Sequence, residues 1–279
     1  TAGSGSDTLS YSADSATQSI TLSSVSSATA SGTVSNGGTD SFTGLEAIVG
    51  GSGSADSITS TSAGEALIVT GANAGTIDGF SFSGVESVDL ADGNDTGTIN
   101  TGGSLSGSLS FGSGTSDSLS YAGYGSAVSA TLSGSNTLSS VTAITGGVSG
   151  VENITLSSNN DTLTVGGSGS LSGNVDFGAG SGDTLTYAGN ANAVTVSLNS
   201  ATSTAAAGAT GITGTTTGFE SLVGGNGSDI LNAKSGVNNL SVAAGGTTTL
   251  DTSLTVSGFE TINLGANSDA SADTATFSG

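Results

Sequence analysis

The chain has 279 residues, 48 of them glycine, with no proline, cysteine, methionine, tryptophan or histidine, and a formal charge of −21 from 22 carboxylates against a single cation, Lys234. So little basic charge excludes the backbone of nucleic acids, which is held by Lys and Arg that displace counterions, and the surface of anionic membranes. The missing His and Cys exclude zinc and iron centres and the usual nucleophile–base pairs, leaving oxygen ligands for a hard cation as the available metal chemistry.

The candidate elements, taken along the chain, are short alternations of apolar and small polar residues: Ile20-x-Leu22, Val88-x-Leu90, Leu119-x-Tyr121, Ile154-x-Leu156, Val194-x-Val196-x-Leu198 and Ile262-x-Leu264. A period of two predicts strands with one buried face. Between them lie clusters such as Gly50-Gly51-Ser52-Gly53 and Ser157-Ser158-Asn159-Asn160, residues that tolerate positive φ and so make corners. Helix formers with caps are lacking. A Gly/Ser-rich acidic chain could also be disordered, but charged residues are only 8% of this one and its apolar residues fall at alternate positions. No apolar run approaches the ~18 residues of a membrane span, so membrane insertion is not expected.

A Gly-apolar-Glu tripeptide recurs five times, at Gly44-Leu45-Glu46, Gly84-Val85-Glu86, Gly150-Val151-Glu152, Gly218-Phe219-Glu220 and Gly258-Phe259-Glu260, spaced by 40, 66, 68 and 40 residues. Aligning Gly84–Tyr121 with Gly150–Tyr187 leaves 19 of 38 positions identical, and Gly44–Leu90 aligns with Gly218–Leu264 at a constant offset of 174. Unequal intervals fit an all-β, parallel β-solenoid, β-helical or β-roll-like, with irregular coils and short strands, better than a propeller. Coils of roughly 18 to 25 residues would make the longer module about three coils and the shorter about two. The expected organisation is one continuous array over 1–279, with modules near 1–46, 47–86, 87–152, 153–220 and 221–260 and a partial one at 261–279. That last module stops in mid-pattern, as expected of a piece of something longer.

Gly224-Gly225-Asn226-Gly227-Ser228-Asp229-Ile230-Leu231-Asn232 fits the nonapeptide GGxGxDxUx, with Leu231 at the apolar position, and Ala2 to Ser10 keeps Gly3, Gly5, Asp7 and Leu9 in place. Asp7-Thr8-Leu9-Ser10-Tyr11, Asp117-Ser118-Leu119-Ser120-Tyr121 and Asp183-Thr184-Leu185-Thr186-Tyr187 each precede an alternating strand. In this the chain resembles the secreted repeats-in-toxin, hemolysin-type calcium-binding proteins, a group that includes bacterial surface-layer proteins and giant adhesins. The resemblance implies a β-roll whose aspartates chelate Ca²⁺, with Asp7, Asp229, Asp117, Asp183, Asp95 and Asp161 as ligands. The nonapeptides stand singly here, and the alternative for each aspartate is an Asx turn bonding its own backbone.

The five recurring glutamates are read as caps that accept backbone N–H bonds at a glycine corner, with metal ligation or a lattice contact as the alternative. Tyr11, Tyr121 and Tyr187 are read as core-edge residues with solvated hydroxyls. Two carboxylates could in principle hydrolyse a polysaccharide, but aromatic platforms and cationic anchors are scarce; no enzyme activity is expected. The expected function is an extracellular structural repeat protein of a bacterial surface layer, filament or matrix fibre, secreted or at the cell surface, self-assembling with copies of itself, with Ca²⁺ as the candidate stabilising ion. An adhesin stalk or passenger domain binding a surface polysaccharide is the alternative. With one Lys and no Arg, trypsin-like proteases find almost nothing to cut.

Overall fold

In a computed structural model the chain is all-β, a parallel β-solenoid of short strands, with no helix among the described residues, which are 3–199, 204–243, 247–265 and 273–277. Strands run from two residues, as in Leu109–Ser110, to eight in Ser19–Ser26. They group into two compact units, one reaching to Gly125 and including Leu138–Glu152, the other made of Ser126–Thr137 and the chain from Asn153 onward.

In the first unit one sheet stacks Thr8–Ser10, Ala47–Val49 and Phe80–Ser83 in parallel, and Ala66–Gly71, Thr96–Ile99 and Ser118–Ser120 likewise. Its second sheet stacks Ser19–Ser26, Ser57–Thr59, Ser87–Asp89, Leu109–Ser110 and Val148–Ser149. The second unit repeats the plan. One sheet carries Asn153–Thr155, Val175–Asp176 and Thr216–Thr217, together with Thr195–Leu198, Ile230–Asn232 and Thr261–Asn263. The other carries Ser129–Gly134, Thr162–Val165, Thr184–Thr186, Ser221–Val223 and Leu254–Ser257.

The alternation read from the sequence is what sorts side chains here. Along Ala66–Gly71 the residues Leu67 and Val69 are buried while Ala66, Ile68 and Thr70 face outward. Stacked in register, such positions form narrow apolar stripes, and each fully buried Leu, Val, Ile or Phe contributes ~1.5–3 kcal/mol. Tyr121 and Tyr187 correct the expectation of core-edge rings with wet hydroxyls: both are fully buried, and each O–H donates to a backbone carbonyl, of Thr142 at 2.7 Å and Thr210 at 2.9 Å. A tyrosine hydroxyl can enter a core when a carbonyl waits for it.

The second correction concerns the coils. Between Glu46 and Glu86 the parallel ladder takes one step, from Ala47–Val49 to Phe80–Ser83. Between Glu152 and Glu220 it takes two, through Asn153–Thr155, Val175–Asp176 and Thr216–Thr217. With the crossing to the other sheet that ends it, the shorter module holds about one and a half coils and the longer about two and a half, half a coil fewer than the sequence estimate, because the surplus residues form antiparallel meanders inside a coil. In the first unit these are Ser19–Ser26, Thr29–Ser35 and Thr39–Leu45, then Ala66–Gly71, Ala74–Ile77 and Phe80–Ser83. In the second they are Thr195–Leu198, Ala205–Ala209 and Thr216–Thr217, then Asn239–Val242, Thr248–Leu250 and Leu254–Ser257. Asp78 and Gly79, at φ of 48° and 84°, make one of the two-residue turns with both φ values positive that suit the twist of a hairpin.

Candidate functional site

Each Gly-apolar-Glu lies at the end of a strand and carries the chain across to the other sheet, as from Phe80–Ser83 to Ser87–Asp89 and from Thr216–Thr217 to Ser221–Val223. All five glycines sit in the left-handed region, with φ between 64° and 85°, where a Cβ costs roughly 1–2 kcal/mol. The next residue plugs the core: Val85, Val151 and Phe219 are fully buried. The glutamate then turns its carboxylate toward the neighbouring coil.

There Oε2 of Glu46, Glu86, Glu152, Glu220 and Glu260 accepts the backbone N–H of Asp7, Asp56, Asp117, Asp183 and Asp229, at 2.7, 2.8, 2.8, 3.0 and 2.6 Å. The backbone answers in kind. The N–H groups of Glu46, Glu86, Glu152 and Glu220 donate to the carbonyls of Asp7, Asp56, Asp117 and Asp183. The structure therefore matches the capping reading of these glutamates.

The aspartates repeat the same contact one coil further along. Oδ1 of Asp56 accepts the Gln18 N–H at 2.7 Å, Asp95 that of Glu65 at 2.6 Å, and Asp117 that of Asp95 at 2.6 Å. In the second unit Asp161 caps Val128, Asp183 caps Asp161 and Asp229 caps Val194, at 2.6, 2.6 and 2.9 Å. The result is a carboxylate ladder in which the acidic residue opening many of the parallel strands caps the corresponding residue of the preceding coil. Rungs lie 22 residues apart where a coil is plain and 30–39 apart where a meander is inserted. Second oxygens often close a local loop, with Asp56 Oδ2 accepting Gly51 N–H at 2.5 Å, Asp161 Oδ2 accepting Ser157 N–H at 2.7 Å and Asp229 Oδ2 accepting Gly225 N–H at 2.5 Å. Gly50 and Gly224 begin two of these loops, and a Cβ on either would stand 2.0 Å from the carbonyl oxygen of Gly84 or Gly258.

Burial, helped by neighbouring acids, raises the proton affinity of two of these aspartates. Asp95 is pushed up to about 7, first by burial and then by the charges of Glu65 and Asp117, against the bond from the Glu65 N–H. Asp183 is pushed up to about 6, again first by burial, with Glu220 and Asp161 as the neighbouring charges. Of the outer aspartates, Asp14, Asp89 and Asp176 each accept the N–H two residues on, in Asx turns.

All six aspartates that the resemblance names as calcium ligands open parallel strands in this ladder, Asp95 with Asp117 and Asp161 with Asp183 on adjacent rungs. Asp7 opens the first strand: its N–H is taken by Glu46, as those of Asp117, Asp183 and Asp229 are taken by their glutamates, and its Oδ2, like those of Asp95 and Asp183, is buried with no hydrogen-bond partner among the described residues. As arranged, the set does not fit Ca²⁺. The ion needs six to eight converging oxygens, yet Asp95, Asp117, Asp161, Asp183 and Asp229 each give an oxygen to an amide N–H, and among the described residues no three acidic side chains gather as a metal site. Amide dipoles aimed at a carboxylate are the surroundings of an anion.

Three rungs escape the sequence reading, among them Asp273, which opens Thr274–Phe277 and caps the Asn238 N–H at 2.9 Å. Asp56 does so because its loop, from Gly50, is one residue longer than the loop from Gly224 to Asp229, so an alignment at constant offset passes over it. Glu65 follows Ala63-Gly64 rather than a Gly-apolar pair. No family model matches the chain, and no curated protein or solved structure matches it.

Proposed function

We propose that the chain is an extracellular structural repeat protein, an element of a bacterial surface layer, filament or matrix fibre. The observation that carries this reading is the carboxylate ladder: the acidic groups that dominate the chain's reactive side chains are used as buried caps of its own backbone, coil after coil. Hydrogen bonds to charged groups are worth ~1.5–3 kcal/mol each, so the ladder lends its chemistry to cohesion. Outward positions are mostly Ser and Thr, as along Ser19–Ser26, which give an uncharged, hydrogen-bonding face suited to contact with copies of the same surface. Secretion and a cell-surface setting follow from the resemblance to surface-layer and adhesin repeats.

Electron microscopy of the purified chain tests this, with sheets or fibres expected and dispersed particles refuting it. Calcium stabilisation, which the same resemblance implies, is tested separately. A melting temperature that rises with millimolar Ca²⁺ and falls with chelator would require sites other than the capped aspartates.

A further inference from the structure

Asparagine followed by glycine occurs twice, at Asn36-Gly37 and Asn226-Gly227. Such a pair is reactive because the backbone nitrogen after an asparagine can attack the side-chain carbonyl carbon, and a following glycine turns freely and puts no Cβ in the way. Packing decides which of the two can do so. Asn36-Gly37-Gly38 is the turn that joins Thr29–Ser35 to Thr39–Leu45. Gly37 is exposed at a φ of 101°, its N–H has no partner among the described residues, and a Cβ on Gly37 or Gly38 would meet nothing within 4 Å. Exposed turns of small residues reshape easily, and this one can do so without displacing a neighbour.

Asn226-Gly227 is clamped instead. The Asn226 N–H donates to the Asn190 carbonyl at 2.6 Å, and a Cβ on Gly227 would stand 2.4 Å from the carbonyl oxygen of Asn192. Its loop is closed at both ends by Asp229, whose Oδ2 takes the Gly225 N–H at 2.5 Å and whose Oδ1 takes the Val194 N–H at 2.9 Å. Swinging the Gly227 nitrogen onto the Asn226 side chain requires this corner to open first.

We propose that Asn36 is a site of spontaneous deamidation in the folded chain, that Asn226 is not, and that the new carboxylate acts on Asp14. The Gly37 nitrogen gives up its proton and bonds to Asn36 Cγ, the Cγ–Nδ2 bond breaks, and Nδ2 leaves as ammonia. Water then opens the five-membered imide to aspartate or isoaspartate; no other reactant is needed. The change matters because of what Asn36 holds. Its Nδ2 donates to Asp14 Oδ2 at 3.1 Å, while Asp14 Oδ1 takes the Ala16 N–H at 2.9 Å and the Asp14 carbonyl takes the Ser52 N–H at 2.7 Å. Deamidation replaces the first of these bonds with two opposed carboxylates, and isoaspartate also adds a backbone atom to the turn. The inference is independent of what the chain assembles into.

The test is peptide mass spectrometry on the purified chain, folded or in denaturant, held for days in mildly alkaline buffer. In the folded chain the peptide containing Asn36 should gain one mass unit, with isoaspartate present, about tenfold or more sooner than the peptide containing Asn226, the margin set by the local opening that Asn226 needs. In denaturant the two rates should converge, and Gly37→Ala should slow the reaction at Asn36. Equal rates at the two pairs in the folded chain, or an Asn36 that reacts only after unfolding, overturns the proposal. The part played by Asp14 has its own readout. Asn36→Asp should melt below wild type at low salt and approach it at high salt, where exposed charges are screened. Adding Asp14→Asn to that variant should restore the melting temperature, because amide and carboxylate have changed places. An Asn36→Asp chain that melts like wild type, or that Asp14→Asn does not rescue, overturns the action on Asp14.

Discussion

Replacing Glu86 by alanine isolates one rung. Glu86 is 6% exposed; its Oε2 accepts the Asp56 N–H at 2.8 Å and its Oε1 accepts Asn73 Nδ2 at 2.8 Å. Asn73 Nδ2 keeps a second acceptor in Ser106 Oγ at 3.0 Å, but Asp56 is fully buried and its N–H is left with nothing. A charge-assisted bond of ~1.5–3 kcal/mol is lost and a buried donor is orphaned at ~1–3 kcal/mol, offset by relief from burying the glutamate's charge. The net expectation is about 2–3 kcal/mol of destabilisation, against about 1 kcal/mol for Glu86→Gln, which keeps the acceptor. At ~1.4 kcal/mol per factor of ten, exchange of the Asp56 amide should quicken by about a hundredfold, read by native-state hydrogen exchange, since a solenoid can open locally. Ser54→Ala, at an exposed position, serves as the control within ~0.5 kcal/mol. Were Glu86→Ala to match that control, the ladder would be an ornament of the fold and the argument for function would go with it.

Three further outcomes follow from the same geometry. Asp95 and Asp183 hold their protons in the folded state up to about pH 7 and 6, against about 4 when unfolded. The folded state thus binds more protons in that window, so thermal stability is highest in mild acid and falls as pH rises through 6 to 7. Melting curves from pH 5 to 8 check this, and Asp95→Asn should flatten the trend; stability that rises with pH would refute it. Gly84→Ala should cost about 1–2 kcal/mol through its φ of 64° alone, and Gly50→Ala clearly more, because its Cβ meets the Gly84 carbonyl oxygen at 2.0 Å; denaturant midpoints rank the two. Tyr187→Phe should lose about 1 kcal/mol with its bond to Thr210, and Tyr187→Ala about 3–5 kcal/mol with its buried ring.

The parallel architecture and its corners were legible in the sequence because each depends on a local rule: period-two burial in strands such as Ala66–Gly71, and a glycine at positive φ beside a buried plug at Gly84-Val85. The meanders were not, since antiparallel and parallel strands share that period, and nothing in Leu67-x-Val69 separates it from Val88-x-Leu90. The capping glutamates could be read from their recurrence. Their aspartate partners could not be paired with them, because a rung is defined by contact between residues 22 to 39 apart, and a loop one residue longer hides Asp56. The tyrosine hydroxyls were misjudged because their acceptors, Thr142 and Thr210, are backbone carbonyls, which leave no trace in side-chain pattern.

The one cation of the chain is tethered: Lys234 Nζ donates to the Val237 carbonyl at 2.6 Å and pairs with Asp251 at 3.1 Å. Any laboratory procedure that presumes lysines inherits this. Amine-directed dyes and aldehyde fixatives find a single engaged side-chain amine in these 279 residues, and trypsin leaves the 234 residues up to Lys234 in one piece, too large for routine peptide mapping. Mapping its peptides calls for cleavage beside Asp and Glu.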